Sequence, residues 1–521
     1  MSLTTTKYYL ILFAFALPLT INLFQFFSSD NGTQLLPAYT FSDAALFHYS
    51  AWFKATFSSN SYVSDIIVLS PYEATLSYAI KVFGYSNTTP LILNAILSAL
   101  TSVFIALVSR DAFGNTAAFT STIIYTLCAP ILFFSGMPHK TIFVLLFISI
   151  ANFCVLKFFK TKAWLYLIVF SCVLAAASID RIHVLTIPAV LLFILITLVI
   201  RSKSKKPYVM GIASIIFVFA LLNILSTTLY STEPTYHSSV GLNIYTGHTK
   251  PNNSSLKVQG VTNHMLGHRT DPKKVAETAL GHPLAQSEVT AYWVSRTINY
   301  ITTNPGEYLS GQLRKLHHLF SQVSVSVKSE RLSVWRFERD VLQFAAFDFA
   351  SIFALFFASI LAQRKQKSST PISTYLSLAG IIYLLSLMAT IVTERYRVGV
   401  FVFMIPLASF FLSQVLENFR KHKTELAVAV GLFGTSHLLM LTAPGAYANK
   451  EFSSKAREHN SLQSSNVALP FYDSRIALDQ TVNQENCSHF ITQLEIVKHN
   501  RDIDRAKNAC DEIIRLNHPE T

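Results

Sequence analysis

Two kinds of side chain in this sequence have the chemistry for group transfer at a charged centre. One is a carboxylate, Asp43, placed shortly after the first long apolar run. A carboxylate there can accept a proton from an attacking hydroxyl. The other is a set of cations: Lys140 after His139, Arg181 after Asp180, and Arg395 and Arg397 on either side of Tyr396, with Glu394 just before them. Guanidinium groups hold phosphates by paired hydrogen bonds, and ionisable groups at the edge of long apolar runs are costly. Each residue also has an ordinary reading. Asp43 can be a solvated loop acid or a helix N-terminal charge. Asp180 and Arg181 can be a local pair, or Arg181 a snorkelling anchor. Glu394 can neutralise an arginine beside it, and a lone basic residue can touch lipid headgroups.

What favours an anionic ligand is the placement of these residues relative to a membrane. The chain has 521 residues, is 51% hydrophobic and only 14% charged, a balance unlike that of a soluble domain. A bilayer-crossing helix needs roughly 20 mostly apolar residues, and about eleven stretches approach that criterion. They fall near 8–27, 91–108, 117–134, 141–156, 164–179, 184–200, 208–229, 344–361, 372–391, 398–416 and 426–443. The first is long and lacks a small-residue cleavage site, so it reads as a retained anchor rather than a signal peptide.

The connections between these spans alternate. Lys157, Lys160 and Lys162 follow the fourth span; Arg201, Lys203, Lys205 and Lys206 the sixth; Arg364, Lys365 and Lys367 the eighth; Arg420, Lys421 and Lys423 the tenth. Short loops rich in Lys and Arg mark the cytoplasmic side. The N-terminus is then cytoplasmic and the C-terminal tail exoplasmic, and Asp43, Lys140, Arg181 and Glu394–Arg397 all face outward. The net charge of +13 is largely explained by these loops and by contact with anionic lipids, which argues against nucleic acid as a partner.

The expected fold class is an all-α polytopic membrane protein with about eleven transmembrane helices, a large exoplasmic loop and a small helical C-terminal tail. Its parts are 1–230, a membrane region containing the first exoplasmic loop; 231–342, the large loop; 343–443, a second membrane region; and 444–521, the tail. In the first loop, Ser42 can cap an amphipathic helix over 42–53, and 72–83 reads as a helix ended by Gly84. The large loop begins with a turn-rich stretch around Gly241–Gly260. Helices follow near 272–280 and 284–303, broken by Asn304-Pro305-Gly306. A stretch over 307–320 then sets Leu309, Leu313, Leu316 and Phe320 against Arg314, Lys315, His317 and His318, as in a helix lying along headgroups. Cys487 and Cys510 in the tail can be a disulfide or two thiols, and Cys128, Cys154 and Cys172 lie in apolar spans as packing residues. No metal-type Cys/His spacing, no phosphate-loop glycine pattern and no internal repeat is present in the sequence.

In this setting the chain resembles the GT-C superfamily of integral-membrane glycosyltransferases. It looks closest in pattern to bacterial relatives of the protein O-mannosyltransferases and of the aminoarabinose transferase that modifies lipid A. Phe41-Ser42-Asp43 stands after the first span, and the segment from Ser70-Pro71-Tyr72-Glu73 to Val82-Phe83-Gly84 is similar to the family's proline-aromatic segment. Asp180-Arg181 precedes the sixth span. Gly241-Leu242-Asn243-Ile244-Tyr245-Thr246-Gly247-His248 resembles the opening of the family's large loop. Ala276-Glu277 through Gly281, Ser287-Glu288, Tyr292-Trp293, Asn304-Pro305-Gly306, Arg314-Lys315-Leu316 and Arg395-Tyr396-Arg397 complete the order. The likeness covers about 8–416. It departs at His248, where Asn is common, at 320–324, which lack an acid, and at 137–140, which lack a second carboxylate.

The resemblance implies an inverting transfer of a sugar from a polyprenyl-phosphate donor to a lipid, glycan or protein acceptor at the exoplasmic face of a bacterial inner membrane. Asp43 would be the base, and Arg181, Arg395, Arg397 and Lys140 would hold the donor phosphate. Tyr72, Glu73, Asn243, Tyr245 and His248 would line the substrate region. The residues support no metal ligand set and no cofactor beyond the lipid-linked sugar. The rival readings are a secondary transporter, against which stand the missing repeat and the absence of paired discontinuous helices, and an O-antigen polymerase or ligase. The alternation of loops predicts that an impermeant thiol reagent applied to intact cells labels Ser254→Cys and spares Ser204→Cys in a cysteine-free background. The opposite labelling would invert the orientation.

Overall fold

The computed structural model describes residues 3–28, 51, 71–84, 88–136, 139–229, 236–249, 257–258, 261–262, 272–320, 346–366, 370–390 and 392–441. Asp43, nearly all of 42–53, and the tail with Cys487 and Cys510 lie outside them. Among the described residues the chain is helical, as its composition predicts. Its paired strands are the two-residue β1 (Lys257–Val258) and β2 (Val261–Thr262).

Membrane-length helices build the core. Six are long and apolar enough to cross a bilayer: Thr6–Phe24, Thr89–Phe113, Thr141–Thr161, Ile182–Arg201, Pro371–Ala389 and Glu394–Glu417, with Leu165–Asp180 and Lys206–Leu221 as shorter apolar helices. We number the helices α1 (Leu3–Ser28), α2 (Pro71–Phe83), α3 (Thr89–Phe113), α4 (Asn115–Thr126), α5 (Ala129–Ser135), α6 (Thr141–Thr161), α7 (Leu165–Asp180), α8 (Thr186–Arg201) and α9 (Lys206–Leu229). In this bundle α3 packs on α1, α4 and α6, and α6 packs on α7. The polar side chain of Asn152 ties α6 to two later segments. It donates to the Val402 carbonyl at 3.2 Å and accepts from the Tyr375 hydroxyl at 3.0 Å. A buried amide in an apolar bundle must find such partners.

Local chemistry sets the ends of these helices. Gly84 takes φ +82° after α2 while its N–H bonds the Ile80 carbonyl at 2.9 Å, the C-terminal cap its residue type predicts. Gly114, at φ +99°, turns α3 directly into α4.

The stretch 117–134, expected as one span, is two helices broken at Leu127–Cys128. Pro130 lacks the N–H that a continuing helix needs, which is the physical reason for the break. The freed backbone groups are answered by residues 346–347. The Ala346 and Phe347 N–H groups both donate to the Leu127 carbonyl at 3.0 Å, and the Ala129 N–H donates to the Phe347 carbonyl at 2.8 Å. Irregular backbone at membrane depth is tolerated where protein satisfies it in this way.

The loop region holds α10 (Tyr236–Thr249), α11 (Pro272–Leu280), α12 (Gln286–Thr303) and α13 (Pro305–Phe320). The last three match the sequence expectation, with Pro305 opening α13 where its missing N–H costs nothing. The expectation of a turn-rich start near Gly241 is corrected, because 236–249 is helical. Gly241 lies against the backbone of Thr290 in α12, where a Cβ would come within 2.8 Å of the Thr290 carbonyl oxygen. That close approach lets α10 and α12 bury Leu242, Ala276, Leu284, Val289 and Trp293 together. Here glycine serves packing, not turning.

The second membrane region comprises α14 (Phe349–Gln366), α15 (Pro371–Ser386), α16 (Glu394–Arg397), α17 (Phe401–Glu417) and α18 (Lys423–Leu441). Between α15 and α17 the chain is not one helix. A 3-10 turn at Leu387–Ala389, an extended stretch, α16 and a second 3-10 turn at Val398–Val400 interrupt it. The expectation of one unbroken span is therefore overturned at Leu127–Cys128, while Leu387–Val400 falls about the expected connection between the ninth and tenth spans.

Charges gather at the two ends of α6. Near its C-terminus Lys157 and Lys160 reach Asp111 of α3 at 2.8 and 3.7 Å. At its N-terminus stand Lys140 and Thr141, and at 1.5 Å per residue Thr141 and Lys157 lie about 24 Å apart along the helix.

Candidate anion site and its supports

Arg181 ends α7 and is 5% exposed. Its guanidinium donates to the Thr141 hydroxyl at 3.2 Å and lies over the Tyr396 ring, 4.5 Å from the centroid. Arg395 lies over the same ring at 5.3 Å. Two cations about 210 residues apart in sequence thus meet at one aromatic ring, whose faces attract positive charge. The Thr141 hydroxyl is oriented for its part. His139 Nδ1 receives the Thr141 backbone N–H at 3.2 Å, so it is an acceptor, and the hydroxyl donates to it at 2.7 Å. The hydroxyl oxygen is then left to accept from Arg181.

The neighbouring carboxylates are paired elsewhere. Asp180, its side chain fully buried, forms an ion pair with Lys140 at 3.3 Å, so Arg181 is not held by its sequence neighbour. Glu394 pairs with Arg397. Arg397 is 2% exposed, donates to the Leu319 carbonyl at 3.4 Å and lies 4.1 Å over the Phe349 ring. Of the four cations expected at a phosphate, Arg181 and Arg395 share one spot. Lys140 stands at the Asp180 side, and Arg397 is built into the wall between α13, α14 and α16.

The turn at Leu387–Thr390 presents carbonyls that its helix cannot satisfy. Lys315 of α13 donates to the Met388 carbonyl at 2.8 Å, and His248 Nε2 reaches the Ala389 carbonyl at 3.1 Å. His248 therefore carries its proton on Nε2, and its Nδ1 accepts from the Gln312 amide at 2.8 Å. Gly247 abuts Thr390 so closely that a Cβ would fall 2.2 Å from the carbonyl oxygen. The Thr390 hydroxyl in turn meets His183 Nε2 at 3.1 Å, and the His183 ring packs edge-on against Tyr396 at 5.2 Å. His248, expected at the substrate, instead joins the loop helices to the turn beside the arginines.

The other expected residues are spread more widely. Tyr72 is buried in α2 against Phe143, at 6.2 Å between ring centroids, and burial pushes its phenol well above the usual range. Glu73 stands beside it in the first turn of α2. Tyr245 packs on Trp293 at 5.1 Å and under Arg296, and Asn243 is half-buried on the same helix, both on the α12 side rather than among the arginines. Asp43 lies outside the described residues. Among those residues, no three His, Cys, Asp or Glu side chains are grouped to hold a metal ion.

Sequence reasoning missed Thr141, His183, Thr390 and the role of Lys315. The amphipathic pattern of α13 sets Lys315 on a polar side, yet Lys315 is 1% exposed while Leu309 and Leu313 are each 60% exposed. The signal was present in the spacing of Gln312, Lys315 and Leu319, which share one helical face. Burial pushes the Lys315 ammonium down to about 7, and burial and Lys315 push His248 down to about 4.

Cations from the end of α7 and from α16 thus gather at one aromatic ring within a helical body. Residues 71–224 match the family model described as dolichyl-phosphate-mannose-protein mannosyltransferase, which bears out the resemblance on that part of the chain. The matched segment carries Tyr72, Glu73, Lys140, Asp180 and Arg181, and leaves out Asp43, α10 and Arg395–Arg397. No curated protein matches the chain.

The Lys315 shift carries a pH prediction with a defined sign. Its folded value of about 7 lies below the ordinary 10.5. Between those values the unfolded chain holds the proton and the folded one does not, so stability rises with pH from 7 upward. That contribution is full above 10.5 and lost as pH falls through about 7. Thermal unfolding of the purified protein from pH 7 to pH 9.5 is expected to show this rise, and Lys315→Met is expected to flatten it.

Proposed function

We propose that the chain is an inverting glycosyltransferase that moves a sugar from a polyprenyl-phosphate donor to an envelope acceptor at the exoplasmic face of a bacterial inner membrane. The observation that carries this reading is the meeting of Arg181 and Arg395 over Tyr396, at the end of α6 away from the Lys157–Asp111 cluster. A lipid-linked sugar keeps its isoprenoid tail in the bilayer while its phosphate sits at the membrane surface. A guanidinium pair at that level matches the phosphate in charge and in hydrogen-bond geometry.

The step is a displacement at the anomeric carbon. The bond from that carbon to the phosphate oxygen breaks as the acceptor oxygen bonds to the opposite face, through an oxocarbenium-like state. The bonding electrons leave with the phosphate, whose growing charge Arg181 and Arg395 stabilise. Lys140, expected at the donor phosphate, stands at the edge of the site in its ion pair with Asp180. The acceptor hydroxyl gives its proton to Asp43, a role that rests on the family pattern at Phe41-Ser42-Asp43 and on its place after the first span. The sugar is a hexose or a pentose, and the acceptor is a lipid, a glycan or a protein.

The test is transfer from synthetic polyprenyl-phosphate sugars by purified protein, read by mass spectrometry of the products. Asp43→Asn keeps the shape but cannot take a proton at neutral pH, so its turnover is expected to fall about 10²–10⁴-fold. Arg181→Lys and Arg395→Lys keep the charge and lose the paired geometry, and each is expected to impair transfer. Normal turnover in all three variants would overturn the assignment of base and clamp together.

A further inference from the structure

We infer that Tyr396 is the positioning residue that allows Arg181 and Arg395 to act on one phosphate, its aromatic ring serving as the shared support beside which both guanidiniums are held. The inference rests on the donor-phosphate reading and adds to it a residue that is itself neither cationic nor acidic.

The physical problem is repulsion. Arg181 stands at the end of α7 and Arg395 in α16, and their like charges act on one another within a largely buried site. Two guanidiniums brought to one anion must be kept near each other before the anion arrives, or binding must supply the ordering cost. A ring with a negative face offsets part of that repulsion, the more so away from water. The Arg181 and Arg395 guanidinium carbons lie 4.5 and 5.3 Å from the Tyr396 centroid. Arginine stacks flat on such a face and still directs its N–H groups outward in the ring plane.

The ring is itself held. The Tyr383 hydroxyl donates to the Tyr396 carbonyl at 3.3 Å. Gly399 sits against Tyr383, where a Cβ would fall 2.2 Å from the hydroxyl oxygen. His183 presses its ring edge-on at 5.2 Å and is fixed by Thr390. Tyr396 is thus set by α15, by the Ile182–Leu185 turn and by its own short helix. The aromatic residue between the two arginines of Arg395-Tyr396-Arg397 is where the two halves of the membrane body join.

The experiment measures binding of polyprenyl phosphate and of uncharged polyprenol to the purified full-length protein by native mass spectrometry. The wild type is expected to prefer the phosphate. Tyr396→Phe keeps the ring and is expected to keep that preference. Replacing Tyr396 with pentafluorophenylalanine keeps the shape but removes the negative ring face, and should weaken phosphate binding about tenfold or more while leaving polyprenol binding unchanged. Tyr396→Leu should do the same. Equal phosphate binding by the phenylalanine and fluorinated variants would overturn the inference, as would equal losses for phosphate and polyprenol, which mark a merely structural role. A wild type without preference for the phosphate would overturn the donor reading itself.

Discussion

The constraint on which this structure turns is that backbone left outside helical geometry in a membrane body must be answered by other parts of the protein. The chain leaves helical geometry between α15 and α17, and the carbonyls of Met388 and Ala389 take their hydrogen bonds from Lys315 and His248. An unanswered carbonyl in apolar surroundings costs several kcal/mol, so the interruption and the loop helices presuppose each other. The interruption is what permits Glu394–Arg397 to place a guanidinium on Tyr396 and another in the wall. This irregular connection is therefore held by residues about 70 to 140 positions away in sequence.

The same logic explains the division of labour among the charges. Arg397 and Glu394 satisfy one another inside the wall, and Lys140 and Asp180 do so at the neighbouring edge. Such pairs add little net stability when buried, because desolvation consumes most of the attraction. Each of these buried carboxylates thus has a cation partner of its own near the Tyr396 ring.

Much of this architecture was legible in the residues. Long apolar runs gave the helical membrane body, and Gly84 and Asn304-Pro305 gave helix ends that the structure reproduces. Arg181 and the Arg395-Tyr396-Arg397 triplet stood out because charge at the margin of apolar sequence is costly. What escaped was long-range complementarity. The glycines at 241 and 247 suggest turns by type, yet both serve close packing against Thr290 and Thr390, partners that no local pattern names. Lys315 reads as a solvent-facing base until the Met388 carbonyl supplies its reason for burial. Pro130 did signal the broken helix, but hydropathy averaged over a window outweighed it.

The joint between Leu127 and residues 346–347 has a consequence for biogenesis. Those partners lie about 220 residues apart, and translation at about 5–20 residues per second separates their emergence by roughly 10–40 s. Throughout that interval α4 and α5 are already made while the segment that completes their joint is still unsynthesised. The first membrane region must therefore wait beside the insertion machinery in an unfinished state. Its assembly is completed only when residues 346–347 have been made, just ahead of α14. The first half of the bundle is therefore closed by the segment that opens the second.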